Sequence, residues 1–145
     1  SPESIPLISY MFDRINNVGL SPEQRVHIFN PDQKTLRKNH NIEHFYPRTP
    51  EDDMEPDPDT LEIVDNIGNL LVISSRTNSK LGNLSPKKKL DKLKSALARE
   101  IQNQPHIQEF IRTYGRSISS WGTKTIVHRA KNIATESYRN VWRIE

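Results

Sequence analysis

The sequence predicts an α+β fold, mostly helical, with a small ββα unit embedded among about five helices. Three observations predict it. Residues 41–46 and 70–74 are short apolar runs of strand length, and the second (Leu-Leu-Val-Ile-Ser) is β-branched at Val72 and Ile73. The run 70–74 leads straight into Ser74 and Ser75, residue types that cap helices. On either side, apolar residues recur every three to four positions, the period of an amphipathic helix.

Each element follows in order. Residues 4–18 place Ile5, Ile8, Phe12 and Ile15, with Leu7 and Met11, at helical spacing, and Gly19 follows as a C-terminal cap. Ser21-Pro22-Glu23 offers a short second helical start, and Pro31-Asp32 marks a turn. In the strand 41–46, alternation puts Ile42 and His44 on one face and Glu43 and Phe45 on the other, and Pro47 ends the ladder because it has no N–H. Residues 48–60 read as a proline-rich acidic loop. Gly68 is a turn or close-approach glycine. The helix begun at Ser74 or Ser75 carries Asn78 and ends near Gly82-Asn83. Ser85-Pro86 starts the next helix, which runs to about residue 103 with Leu90, Leu93, Leu97 and Ile101 on one face. Pro105 opens a helix to Tyr114. Thr123 caps the last one, in which Ile126, Val127, Ala130, Ile133, Ala134 and Val141 share helical spacing.

The 145 residues fit one domain, 1–145, with a modest core. Their first residue is Ser, as expected for a C-terminal fragment of a longer chain. Cysteine is absent, so disulfide frameworks, thiolate zinc sites and cysteine nucleophiles are excluded. No apolar run approaches the roughly 20 residues of a membrane span, and the N-terminus has no signal-peptide pattern. Net charge is +3, unevenly spread. Residues 51–65 hold eight of the 18 acids and no Lys or Arg. The rest is strongly basic, which suits a polyanion binder and equally a solvated surface. Eight acids in a DNA groove would repel phosphate, so this segment is expected to be flexible and to point away, or to regulate access.

The chemistry concentrates in Asn41-Ile42-Glu43-His44-Phe45-Tyr46-Pro47, followed by Gly68-Asn69-Leu70 and, nine residues after Asn69, Asn78. Hydrolysis of a phosphodiester needs an activated water and neutralisation of the developing charge. A hard cation such as Mg²⁺ keeps several waters and needs only one or two protein oxygens, which Glu43 and Asn78 can offer. His44, with a reference pKa of about 6.5, suits a general base. Asn69 can bond across to the His44 loop and fix the ring. Because alternation separates Glu43 from His44, a local bend near Pro47 is required for both to reach one ion.

These residues carry a resemblance. "IEHFYP" (42–47), "IGNLLVIS" (67–74) and "TNSKLGN" (77–83), with Trp121, Ile126, Arg129 and Trp142 downstream, resemble the His-Asn-His (ββα-metal, His-Me finger) nuclease domain at the C-terminus of GmrSD-type modification-dependent restriction endonucleases, a domain that SspE-like proteins share. The resemblance covers nearly the whole chain. It implies a DNA endonuclease of an anti-phage restriction system in the bacterial cytoplasm, leaving a 5′-phosphate and a 3′-hydroxyl. His44 would be the base, Asn69 the residue that positions the finger, and Glu43 and Asn78 the ligands of Mg²⁺ or Mn²⁺. Asn78 stands where the wider class often has histidine. No structural zinc is expected, since no Cys pairs are present. An N-terminal nucleotide-dependent sensor domain of the same longer protein would be the partner, and no membrane is involved.

Bland readings stand beside these. His44 reads as a structural histidine without the two asparagines, Glu43 as half of a surface ion pair, Asn69 as a turn residue and Asn78 as an exposed helix position. His40, Arg76, Lys80, Lys87, Lys88 and Lys89 are candidate contacts to DNA or phosphate, or simply solvated side chains. His27, His106 and His128 read as structural or surface residues, and Trp121 and Trp142 as core. A second functional reading is a basic DNA-binding or docking module with a vestigial nuclease motif, and a third makes RNA the substrate.

Overall fold

The computed structural model describes residues 11–14, 17, 23, 29–30, 35–36, 40–51, 53–96 and 104–137. The architecture is α+β and mostly helical. Among the described residues, β1 (Phe29–Asn30) and β2 (Thr35–Leu36) form a small antiparallel pair that the sequence reading did not anticipate. Next come β3 (His40–His44), α1 (Pro58–Glu62), a 3₁₀ turn (Ile67–Asn69), β4 (Leu70–Ser74) and α2 (Ser75–Leu81). The chain continues with α3 (Pro86–Ala96), α4 (Pro105–Tyr114), a 3₁₀ segment (Gly115–Ser120) and α5 (Thr123–Ser137). Of the expected helix 4–18, residues 11–14 and 17 are described and are helical. Gly19, the turn at Pro31-Asp32, and Leu97, Ile101, Val141 and Trp142 lie outside the described residues.

β3 and β4 pair antiparallel, His40 opposite Ser74 and His44 opposite Leu70. The pleat then sorts the side chains. Glu43 shares its face with Leu71, while Ile42 and His44 share theirs with Val72 and Leu70. The first face belongs to the main core, where Phe45, Leu71 and Ile73 join Leu81 of α2, Leu90 and Leu93 of α3, Phe110 of α4, Ile126 of α5 and Trp121, which follows the 3₁₀ segment. The second face packs Leu70 and Val72 with Phe12 and Ile133. Burial on both faces explains why β4 is apolar throughout rather than alternating. No helix among the described residues is long and apolar enough to cross a membrane.

The turn chemistry matches the local sequence. Ser74 caps α2 by accepting from the Thr77 N–H, and Gly82 ends it with φ 48°, a left-handed conformation that favours glycine. The loop 48–60 is shorter than expected. Asp57 caps α1 by accepting from the Asp59 N–H, and its own N–H donates to the Tyr46 hydroxyl at 2.9 Å. Gly68 is a close-approach glycine: a Cβ there would sit 1.9 Å from the Ile126 carbonyl oxygen. This contact lets α5 rest on the 3₁₀ turn. Arg129, the inward-facing cation of α5, is buried and donates Nη1–H bonds to the carbonyls of Gly68 (3.0 Å) and Leu70 (2.7 Å). Burial lowers the Arg129 pKa to about 10. His106, on α4, accepts the Val72 N–H at 3.2 Å and so closes a backbone donor of β4. Burial, reinforced by Arg129, drops its pKa to about 3, so the ring is neutral.

Candidate active site around His44

Asn69 is the pivot of the site. Its carboxamide is fully buried and makes four hydrogen bonds. Oδ1 accepts from the Tyr46 N–H (2.7 Å) and from the Trp121 indole N–H (3.0 Å). Nδ2 donates to the carbonyls of Tyr46 (3.0 Å) and Val64 (2.9 Å). An amide group has two donors and two lone pairs, so all of this capacity is used and none remains for substrate. The Asn69 carbonyl also accepts the Phe45 N–H at 2.9 Å. Asn69 therefore extends the β3–β4 pairing past His44 with side chain and main chain together, holding the backbone of Phe45 and Tyr46 rather than the His44 ring.

His44 ends β3 on the face away from the main core, its side chain 21% exposed. Its Nε2 lies 2.8 Å from Asp65 Oδ1. Arg48 donates to that same oxygen from Nη2 (2.6 Å) and Nε (3.0 Å). Burial lowers the His44 pKa below its usual value, and the Arg48 and Lys89 charges push the same way against the raising pull of Asp65. The ring is thus neutral near pH 7. Burial acts to raise Asp65, but hydrogen bonds from Arg48 and His44 outweigh it and hold the carboxyl below its usual range. Nε2–H donating to Asp65 would leave Nδ1 with an open lone pair.

Asp65 is the end of the acid-rich stretch 51–65 that reaches the site. Its carboxylate touches His44, and Asp53 farther up pairs with Lys88. Its position at the end of a dense acidic run hid it, although it directly precedes the Asn-Ile-Gly-Asn turn.

Glu43 lies elsewhere. The register is regular through His44, and the chain bends at Phe45 and Tyr46, after both residues, so Glu43 and His44 stay on opposite faces. Instead Lys89 Nζ donates to Glu43 Oε1 at 2.5 Å and to the His44 carbonyl at 2.6 Å. The Glu43 and Lys89 side chains are 4% and 1% exposed. Burial pushes Glu43 up and Lys89 down, with their mutual attraction opposing both. Lys89 is accordingly corrected: it is no outward contact for DNA, because helical spacing sets it on the inner stripe of α3 with Pro86, Leu90 and Leu93. That spacing was the signal that could have found it.

The other candidates spread over the surface. Asn78 is half-buried on α2, Arg76 and Lys80 are exposed on the same helix, and Lys87 and Lys88 are exposed on α3. His40 is half-buried opposite Ser74, its Nδ1 buried and unbonded among the described residues. Among the described residues no group of three or more His, Asp or Glu is placed to hold a metal. A shallow cavity of about 390 Å³ is lined by Tyr46, Met54, Asp57, Lys87 and Trp121 and does not include His44.

No curated protein and no solved structure matches the chain. The sequence profile of one family, "GmrSD restriction endonucleases, C-terminal domain", matches residues 19–136, a span that contains β3, the Asn69 turn, β4, α1 to α4 and all but the last residue of α5. The chain therefore belongs to the family of GmrSD restriction endonuclease C-terminal domains, and so to the domains of restriction endonucleases.

Proposed function

We propose that this domain hydrolyses phosphodiester bonds in DNA, one strand per site, with His44 as the general base. The observation that carries the reading is the His44 ring at the end of β3, partly exposed and with Nε2 2.8 Å from Asp65 Oδ1. Asp65 fixes the tautomer and the aim of the ring. His44 Nδ1 takes a proton from water, the water oxygen bonds to phosphorus, and the phosphorus bond to the 3′ oxygen breaks. The departing oxygen then takes a proton from solvent, leaving a 3′-hydroxyl and a 5′-phosphate. The Arg48 guanidinium, exposed beside the ring, provides positive charge for the phosphate. Asn69 holds the backbone that follows His44, so the ring approaches its target from a fixed base.

The resemblance implies Mg²⁺ or Mn²⁺ held by Glu43 and Asn78. The residues as folded do not fit that pair of ligands, because the Glu43 carboxylate is already neutralised by a buried ammonium. No step above runs through a metal. DNA as substrate, an N-terminal sensor domain as partner and a bacterial cytoplasmic setting remain parts of the proposal, and the family match supports the first of them.

The Lys89 contact favours a second reading, a DNA-docking module of weak catalytic power. A plasmid-nicking assay with Mg²⁺ or Mn²⁺, with EDTA and His44→Ala controls, separates the two. Nicking by the wild type that His44→Ala abolishes is expected. Equal nicking by pure His44→Ala protein sinks the mechanism, and DNA binding without any nicking selects the docking module.

A further inference from the structure

We infer that Lys89 is the resident cation of the ββα unit: with Glu43 it forms a positioning pair for His44, and Glu43 is not a metal ligand. This rests on the nuclease reading only for its kinetic consequence. The argument starts from the strand. Glu43 must face the core because His44 faces away from it, and an unpaired carboxylate there would be strongly unfavourable. α3 supplies the matching charge from its inner stripe. The Lys89 ammonium has three N–H donors, of which one bonds Glu43 and a second the His44 carbonyl. The carbonyl of the base is thus gripped from the core side. Two residues on, Asn69 grips the N–H and carbonyl of Tyr46. The peptide units around the ring are held by two side chains from different elements, which fixes where His44 can point. A divalent cation on Glu43 would have to displace the ammonium and release that grip.

The test uses the full chain. Glu43→Gln/Lys89→Met removes both charges at similar volume, and circular dichroism checks that it folds. Mn²⁺ binding by calorimetry is expected to be equal in the wild type and the double variant, including no binding in both. Loss in the double variant of Mn²⁺ binding present in the wild type overturns the inference, since Glu43 would then be a ligand. In nicking kinetics the double variant is expected to lose kcat by roughly ten- to a hundredfold at unchanged KM. An unchanged kcat overturns the positioning role. Should the wild type not nick DNA, the proton chemical shifts of the His44 ring decide: a displaced His44 signal in the double variant supports the grip, and an unmoved one refutes it. A failure of nicking is therefore distinguishable from a failure of this inference. If the double variant does not fold, Lys89→Arg is measured in its place, with retained kcat and unchanged Mn²⁺ binding expected, and a hundredfold loss of kcat counting against the pair.

Discussion

On the core side of β3, Glu43 meets Lys89 where neither side chain is more than 4% exposed; on the other side, His44 meets Asp65 at 21% and 58%. Adjacent residues of one strand thus place one carboxylate contact in the interior and another at the surface. The buried pair is costly to break because a lone charge would be left without water. The exposed pair is screened by water and contributes little to stability. The pair behind the base therefore bears on folding, and the pair in front of it on the orientation of the ring.

The sharpest way to break this comparison is Lys89→Met alone, which leaves Glu43 charged and buried. We expect a loss of about 3–5 kcal/mol in urea unfolding, against much less for the double variant with Glu43→Gln. A loss below about 1 kcal/mol would mean that the interior pair is no more constrained than the surface one. His44→Ala is expected to leave stability nearly unchanged while nicking falls by roughly a hundredfold or more, measured on supercoiled plasmid. Asp65→Asn should lower nicking by about tenfold, with a stability change within about 0.5 kcal/mol; a large change in melting would make Asp65 structural. The smallest effect concerns pH. His44 acts as a base only when unprotonated, so activity is lost as pH falls through a pKa that the fold holds below about 6.5. Arg48→Ala removes one lowering influence, so the acid limb of the pH–rate profile should move upward; a downward move would reverse the electrostatic reading.

Much of this was legible in the sequence, for reasons that differ by residue. Leu70–Ser74 announced a strand by its apolar, β-branched run, and Ser74 and Gly82 announced the bounds of α2 by the hydrogen bond and the φ they supply. Gly68 was legible as a close approach, though not that its neighbour would be the Ile126 carbonyl. The alternation of β3 already separated Glu43 from His44, and the structure keeps that separation. What could not be read was the partner of each charge. Helical spacing from Leu90 and Leu93 puts Lys89, rather than Lys87 or Lys88, on the inner stripe of α3, but it does not say that Glu43 meets it there. Arg129 is a parallel case, recognisable by resemblance but not as the ligand of two carbonyls some 60 residues away in sequence. Asp65 was lost among acids because net charge says nothing about which carboxylate meets a histidine.

Asn69 stitches the far ends of the long connection between β3 and β4. Since it bonds the backbone directly after β3 from the residue directly before β4, the chain between them closes at a clasp that does not depend on its length. Each doubling of such a loop costs only about 0.6 kcal/mol in closure entropy. Insertions within residues 49–56 should therefore be well tolerated, whereas one extra residue between Asp65 and Asn69 would turn Asp65 away from His44. The part of the chain whose length is free is thereby separated from the part that must keep count.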